Sequence, residues 1–286
     1  MRNQSVSRAR RGFTLIELIV GMVIFAIVGA LFTKLLSTQG KFFDKQGMGN
    51  AARNVSRASL NRVVSDFRMI EATGGVVAAS GTSLTLRIPF AIGVECADAS
   101  GFTHLTLLPV DSTTYATASF YGYAWRSSTT GVYTYVDGAI ESAGDPAICA
   151  AQLITTVPGG KVVRVSPTVP ANAGLGTPVF LYNKVRYEFK ASTAVPGKLG
   201  LYRTVIAANG GETSEELVAP FASTASWKFF TLNGGSVAQT APPGNLSDIR
   251  GLELHLDGIS ENILPGKTTN EQAPFTTAVF FKNRTN

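Results

Sequence analysis

The residues that could carry out chemistry are few and far apart. Histidine occurs twice, at His104 and His255, with no HExxH run and no cysteine cluster beside either. A zinc site needs several such ligands at short, regular spacing, so none is expected here. His255 alternates with leucines in Leu252-Glu-Leu-His-Leu-Asp257, which places it on the solvent side of a strand. Glu212, Glu215 and Glu216 form a small acidic group beside Gly210-Gly211, but their spacing matches no calcium loop, and a solvated face is the expectation. No GxSxG, phosphate-binding loop or dinucleotide fingerprint followed by a helix occurs. The chain therefore reads as a non-enzyme with no cofactor and no metal.

Two features suit binding instead. Arg53, Arg57, Arg62 and Arg68 lie along one amphipathic stretch and would offer DNA a basic patch, although an ordinary solvated helix face explains them as well. Phe120-Tyr-Gly-Tyr-Ala-Trp125, with Tyr133 and Tyr135, is rich in aromatics. Alternating aromatics usually fill a sheet face; exposed ones would contact a partner subunit, a glycan or another surface ligand.

These residues must be held by a folded scaffold, and composition allows one. Of 286 residues, 45% are hydrophobic and 15% charged, enough to bury a core. The formal charge of +6 is concentrated at one end. Without Arg2, Arg8, Arg10 and Arg11, the 25 basic residues fall to 21 against 19 acidic ones, close to balance. Cys96 and Cys149 are the two cysteines. In an exported domain the simplest reading is one disulfide, worth roughly 4 kcal/mol by loop entropy; two free, buried thiols are the alternative.

The most informative charge is Glu17. It is the one charged residue between Phe13 and Thr33, in a run that continues past Lys34 to Leu36. As a helix, 13–36 would reach roughly 36 Å, enough to cross a hydrocarbon core of about 30 Å. The preceding arginines would hold its start in the cytoplasm and place the chain beyond Leu36 outside. A secretory signal peptide would be shorter and end in a small-residue cleavage site. A plain anchor explains the arginines and the apolar run but not Glu17, because a carboxylate in that run costs about 2.5–3.5 kcal/mol to insert and calls for a partner.

The stretch Arg10-Arg11-Gly12-Phe13-Thr14-Leu15-Ile16-Glu17-Leu18 resembles the processing site of type IV pilins and type II secretion pseudopilins. The resemblance implies that prepilin peptidase cuts between Gly12 and Phe13 and that the new amine of Phe13 is methylated. It implies, too, that Glu17 pairs with the N-methylammonium of a neighbouring subunit during assembly. The partners would then be other pilin or pseudopilin subunits, the peptidase and the inner membrane, with a filament in the periplasm or at the cell surface as the destination. One departure is Lys34, where major pilins commonly carry a helix-kinking proline.

Beyond Leu36, Leu60, Val63, Val64, Phe67 and Ile70 recur at three- and four-residue steps, predicting an amphipathic helix from about Ala51 to Glu71 that Gly74-Gly75 would stop. Gly40, Gly47 and Gly49 predict a weakened stretch or flexible linker before it, each costing about 1 kcal/mol in a helix. Strand-like runs come next, at Ser83–Ile88, Thr103–Leu108, Ala118–Trp125, Val132–Val136, Val162–Ser166, Val179–Phe189, Leu199–Ile206, Trp227–Leu232, Ile249–Leu256 and Thr277–Lys282. Helix first and strands after predict an α+β fold, a long N-terminal helix packed on an antiparallel sheet. The expected divisions are a leader at 1–12, an assembly helix at 13–36, an amphipathic helix at 37–73 and a β-rich domain at 74–286. The order of Val185–Phe189, Leu199–Arg203, Glu216–Val218, Trp227–Phe230, Ile249–Leu254 and Thr276–Phe280 resembles PilW-type minor pilins and J-type pseudopilins, with 90–175 as a possible insertion. That resemblance implies a minor subunit at initiation or at the tip, with an adhesin or DNA-uptake receptor as the alternative.

Overall fold

A computed structural model describes residues 14–71, 73–170 and 173–281. The chain divides into two compact units, Met1–Met48 and Gly49–Asn286. Helix α1 (Leu15–Arg68) contributes to both. It runs through Gly40, Gly47 and Gly49 without a break, so the expected weak stretch or linker is not there. Three glycine penalties are spread over 54 residues, and helix propagation is cooperative once nucleated.

In the first unit every described residue of α1 up to Gly47 is exposed, including Leu15, Phe25, Leu31 and Phe42. An apolar window there has a mean hydropathy of 2.7, and α1 is long and apolar enough to cross a membrane. In the second unit the same helix has one buried stripe, Ala52, Ser56, Ser59, Val63 and Phe67, while Arg53, Arg57, Arg62 and Arg68 stay exposed. The helix ends at Arg68, ahead of the expected Glu71. Met69 and Ile70 donate to the carbonyls of Asp66 and Phe67 in a tighter turn, and Ile70 leaves the helix to become fully buried.

Fifteen strands are described. β1 (Val76–Ala79), β2 (Ser83–Ala99) and β3 (Phe102–Leu107) precede a short helix α2 (Pro109–Tyr115). Then come β4 (Gly122–Arg126), β5 (Tyr133–Asp137), β6 (Ile140–Ala143), helix α3 (Pro146–Ala151) and β7 (Lys161–Ser166). β8 (Pro178–Ala191), β9 (Leu199–Ile206), β10 (Glu212–Phe221), β11 (Ser226–Thr231), β12 (Ile249–His255), β13 (Gly258–Ile263), β14 (Asn270–Ala273) and β15 (Thr276–Phe280) complete the order. Neighbouring strands pair antiparallel, in a twelve-stranded sheet and a three-stranded sheet of order β11-β12-β15. The fold is α+β, as the helix-then-strands order predicts.

Several strands differ from expectation. β2 continues past Ile88 to Ala99 because Pro89, which cannot donate to a ladder, sits at a register shift between Pro89 and Ala91. Ala118 donates to Thr114 in the turn after α2, so β4 begins only at Gly122. Strands β1, β6, β13 and β14 lack the alternation that would announce them. Within 90–175, β3, β4 and β7 pair with β2, β8 and β3 in the large sheet.

Two main cores result. Behind α1, Phe67 meets Tyr187 and Trp227 at ring distances of 5.5 and 5.8 Å, with Leu84, Leu86, Phe189 and Leu252 around them. Close approach of the helix needs Gly258, where a Cβ would come within 2.3 Å of the Ala52 carbonyl; its N–H instead donates to Ser56 Oγ at 3.1 Å. The second core joins Leu105, Leu107, Tyr123, Trp125, Val163 and Leu181.

Candidate functional site

Glu17 stands in the first turn of α1, and its surroundings are set by local sequence. Thr14 N and Thr14 Oγ1 each donate to Glu17 Oε2 at 3.0 Å, while Glu17 N donates to Thr14 Oγ1 at 3.3 Å. This reciprocal arrangement is a capping box, and Thr14-x-x-Glu17 is its signature. Sequence reasoning that looked only for a partner to Glu17 missed it. Both Thr14 donors use one oxygen; Oε1 accepts from no described residue. The carboxylate therefore holds the helix start and still presents an oxygen that no described residue meets, on a helix whose neighbouring apolar side chains are exposed.

Gly12 and Phe13, the expected cleavage and methylation positions, lie outside the described residues. Their context is nonetheless specific. Residues 7–33 match the family of the prokaryotic N-terminal methylation motif. No curated protein and no solved structure matches the chain. The methylation motif indicates a pilin- or pseudopilin-type protein that prepilin peptidase processes, and it implies assembly with other pilins. With the apolar helix, it fits a chain anchored in the inner membrane.

The other candidate residues fall in separate places. Cys96 on β2 and Cys149 on α3 are fully buried and are joined as a disulfide, with Cα atoms 5.0 Å apart. Pro146 at the start of α3, with the Asp145 carboxylate accepting from Ala147 N, sets that helix in place. His104 is buried on β3 with Nδ1 unpartnered; burial, then the nearby Arg164, pushes its pKa down. His255 is partly exposed on β12, where Nε2 meets Glu253 Oε1 at 2.5 Å. The two histidines lie in different sheets. Among the described residues, no group of three or more His, Cys, Asp or Glu could hold a metal.

The acidic group of β10 is more than a solvated face. Glu212 pairs with Arg186 at 2.6 Å, while Glu215 is exposed. Glu216 gathers Ser192 Oγ, Thr193 N and Oγ1, Ala194 N and the Tyr202 hydroxyl. Burial pushes its pKa upward, but bonds from Ser192, Thr193 and Tyr202 outweigh that and hold it down at about 2. Gly200 makes room, since a Cβ there would strike Glu216 Oε1. Nothing in the sequence announces this hub, because its donors come from the loop after β8 and from β9.

Glu95 is the opposite case. It is 1% exposed on β2, and Oε2 has no partner. Burial, then the charge of Asp98, raises its pKa to about 7.

The aromatic group divides by face. Tyr123 and Trp125 are buried in the second core, so they are not a contact surface, and Tyr123 donates to the Pro167 carbonyl at 2.5 Å. Phe120 and Tyr121 are half-buried. Tyr133 and Tyr135 instead line an open groove of about 660 Å³ with Phe180, Tyr182 and Phe90. Strand alternation explains the division: on β8, Val179 and Leu181 enter the core while Phe180 and Tyr182 turn to the groove.

Proposed function

We propose that this chain is a minor pilin or pseudopilin subunit, structural rather than catalytic. Prepilin peptidase cuts between Gly12 and Phe13, Phe13 becomes N-methylated, and the N-terminal helix carries the subunit into a type IV pilus or type II secretion pseudopilus. The role is in initiation or at the tip. The observation that carries this is Glu17: a carboxylate in an exposed apolar helix, inside a matched methylation motif, with one oxygen used by its own helix and one that no described residue meets.

In the bilayer that second oxygen is costly unless a cation meets it. The methylated amine of a neighbouring subunit's Phe13 supplies one, so the pair forms only when subunits stack, and it sets their axial register. Lys34 in place of a kinking proline, and the large domain, support a minor rather than a principal subunit.

The capping box supplies the test. Gln at the third helical position keeps the cap but removes the charge, whereas Ala removes both. Glu17→Gln and Glu17→Ala subunits are expected to be cut and methylated at Phe13, as read by intact mass, and yet to fall at least about tenfold in filament incorporation. Glu17→Gln entering filaments as well as wild type would remove the charge pairing from the mechanism. A mature form that still begins at Met1 in the presence of the peptidase would remove the pilin reading itself.

A further inference from the structure

The aromatic-lined groove is built before any ligand arrives. The Tyr182 hydroxyl lies 2.7 Å from the Val136 carbonyl and 2.6 Å from Asp137 Oδ1. Arg87 grips the same Asp137 at 2.7 and 2.8 Å, and its guanidinium carbon sits 4.8 Å over the Tyr135 ring. Tyr135 in turn packs on the turn at Gly74, where φ is +83° and a Cβ would come within 2.8 Å of the ring. Tyr133 and Phe180 meet edge to face at 5.4 Å, and Tyr135 and Tyr182 at 5.7 Å. A ligand would therefore spend little free energy on ordering the walls.

The volume of about 660 Å³ falls within the roughly 300–1,000 Å³ typical of small-molecule sites. Arg68 and Asp111 line it as a charged donor and a charged acceptor beside Tyr133 and Tyr135, with Asp111 Oδ1 already taking the Ile92 N–H at 3.0 Å; Glu71 also lines it but is only 7% exposed. This set discriminates between ligands. An anion would meet Glu71 and Asp111, and a cation would meet Arg68. A wholly apolar group would desolvate Arg68 and Asp111 without replacing their bonds to water. A neutral ring with apolar faces and hydroxyls around its edge suits both Arg68 and Asp111: its faces lie on the aromatic lining, and each hydroxyl both donates and accepts.

We propose that this groove is a binding site for a neutral saccharide of about disaccharide size, with a pyranose face laid on Tyr133. The site belongs to the domain alone and does not depend on whether the chain enters a filament. It would give the subunit a receptor for glycan or polysaccharide.

The test uses the full chain in a detergent without a sugar headgroup. Maltose, cellobiose, lactose and chitobiose are titrated, with trilysine and citrate as charged competitors. At least one disaccharide is expected to bind with a Kd of about 1 mM or tighter. Tyr133→Ala should weaken it at least about tenfold, and Tyr133→Phe, which keeps the ring, by no more than about threefold. Met69→Trp, a substitution at an exposed residue of the rim, fills the groove and should abolish binding even if Tyr133→Ala proves unstable. Absence of binding by all four disaccharides up to about 20 mM overturns the proposal. So does displacement by trilysine or citrate, or affinity unchanged in Met69→Trp. Processing and filament incorporation are read separately, so failure here leaves the assembly reading intact.

Discussion

Strand β8 serves two cores. Val185, Tyr187 and Phe189 pack behind α1, whereas Val179 and Leu181 pack with Leu105, Tyr123 and Trp125. Around the first core the charged groups are matched. Asp66 accepts from the Tyr187 hydroxyl at 2.5 Å and lies 3.5 Å from Arg203, and Glu216 collects its ring of donors. Beside the second core, β2 and β3 bury Glu95 and His104 with an oxygen and a nitrogen unpartnered, next to the Cys96–Cys149 link between β2 and α3. A buried polar group without a bond costs roughly 1–3 kcal/mol; the first core bears this at Trp227 Nε1, and, among the described residues, only beside the second is a carboxylate, Glu95, left with such an atom. The first region is specified by a helix stripe and paired carboxylates, and the second leans on a covalent link.

That contrast can be broken most sharply at Phe67. Its ring touches Tyr187 and Trp227 at the centre of the helix-backed core, so Phe67→Ala should cost about 3–5 kcal/mol in denaturant unfolding of the full chain. A cost near zero would mean that α1 does not organise this core. In the second region, Cys149→Ser should cost about 2–4 kcal/mol, and wild type in reductant should match it. Indifference to reductant would assign the stability there to packing alone.

The smallest effects separate the two regions by pH. Glu216, held at about 2 against an ordinary 4.5, stabilises the fold fully above pH 4.5 and loses that contribution as pH falls toward 2. Glu216→Gln should therefore cost about 1–2 kcal/mol at pH 7 and little near pH 2. Glu95, raised to about 7, has the opposite sign: the folded state prefers the proton, so stability declines as pH rises from 4.5 to 7 and is flat above. Glu95→Gln should be neutral near pH 4.5 and stabilising by about 1 kcal/mol at pH 8. Melting temperatures of both variants across pH 3–8 check the signs, and parallel profiles would erase the distinction between the regions.

Much of the scaffold was legible in the residues. Leu199–Ile206 became β9 at the expected bounds, and Ile249–His255 became β12 within one residue, because each alternates apolar and polar side chains between turn residues. The stripe through Val63, Phe67 and Ile70 pointed to the core as expected. Strands β13 and β14 were not legible, since Gly258–Ile263 and Asn270–Ala273 are short, largely polar and held by their neighbours. Gly40, Gly47 and Gly49 misled, because a per-residue propensity does not weigh a long, uninterrupted helix.

Residue order alone determined the features that depend on near neighbours: the methylation motif, the apolar span, the Thr14–Glu17 cap and the antiparallel α+β class. Their physics acts over a few residues or one helical turn, so spacing reveals it. The meeting of Cys96 with Cys149, the donors around Glu216 and the unpartnered Glu95 were decided by strand pairing across tens of residues. The groove was decided the same way, by Arg68, Asp111, Tyr133, Phe180 and Phe280 converging from separate segments. Those sites exist only once the register of β2, β4, β5 and β8 is set, because a one-residue slip would turn each of their side chains to the other face.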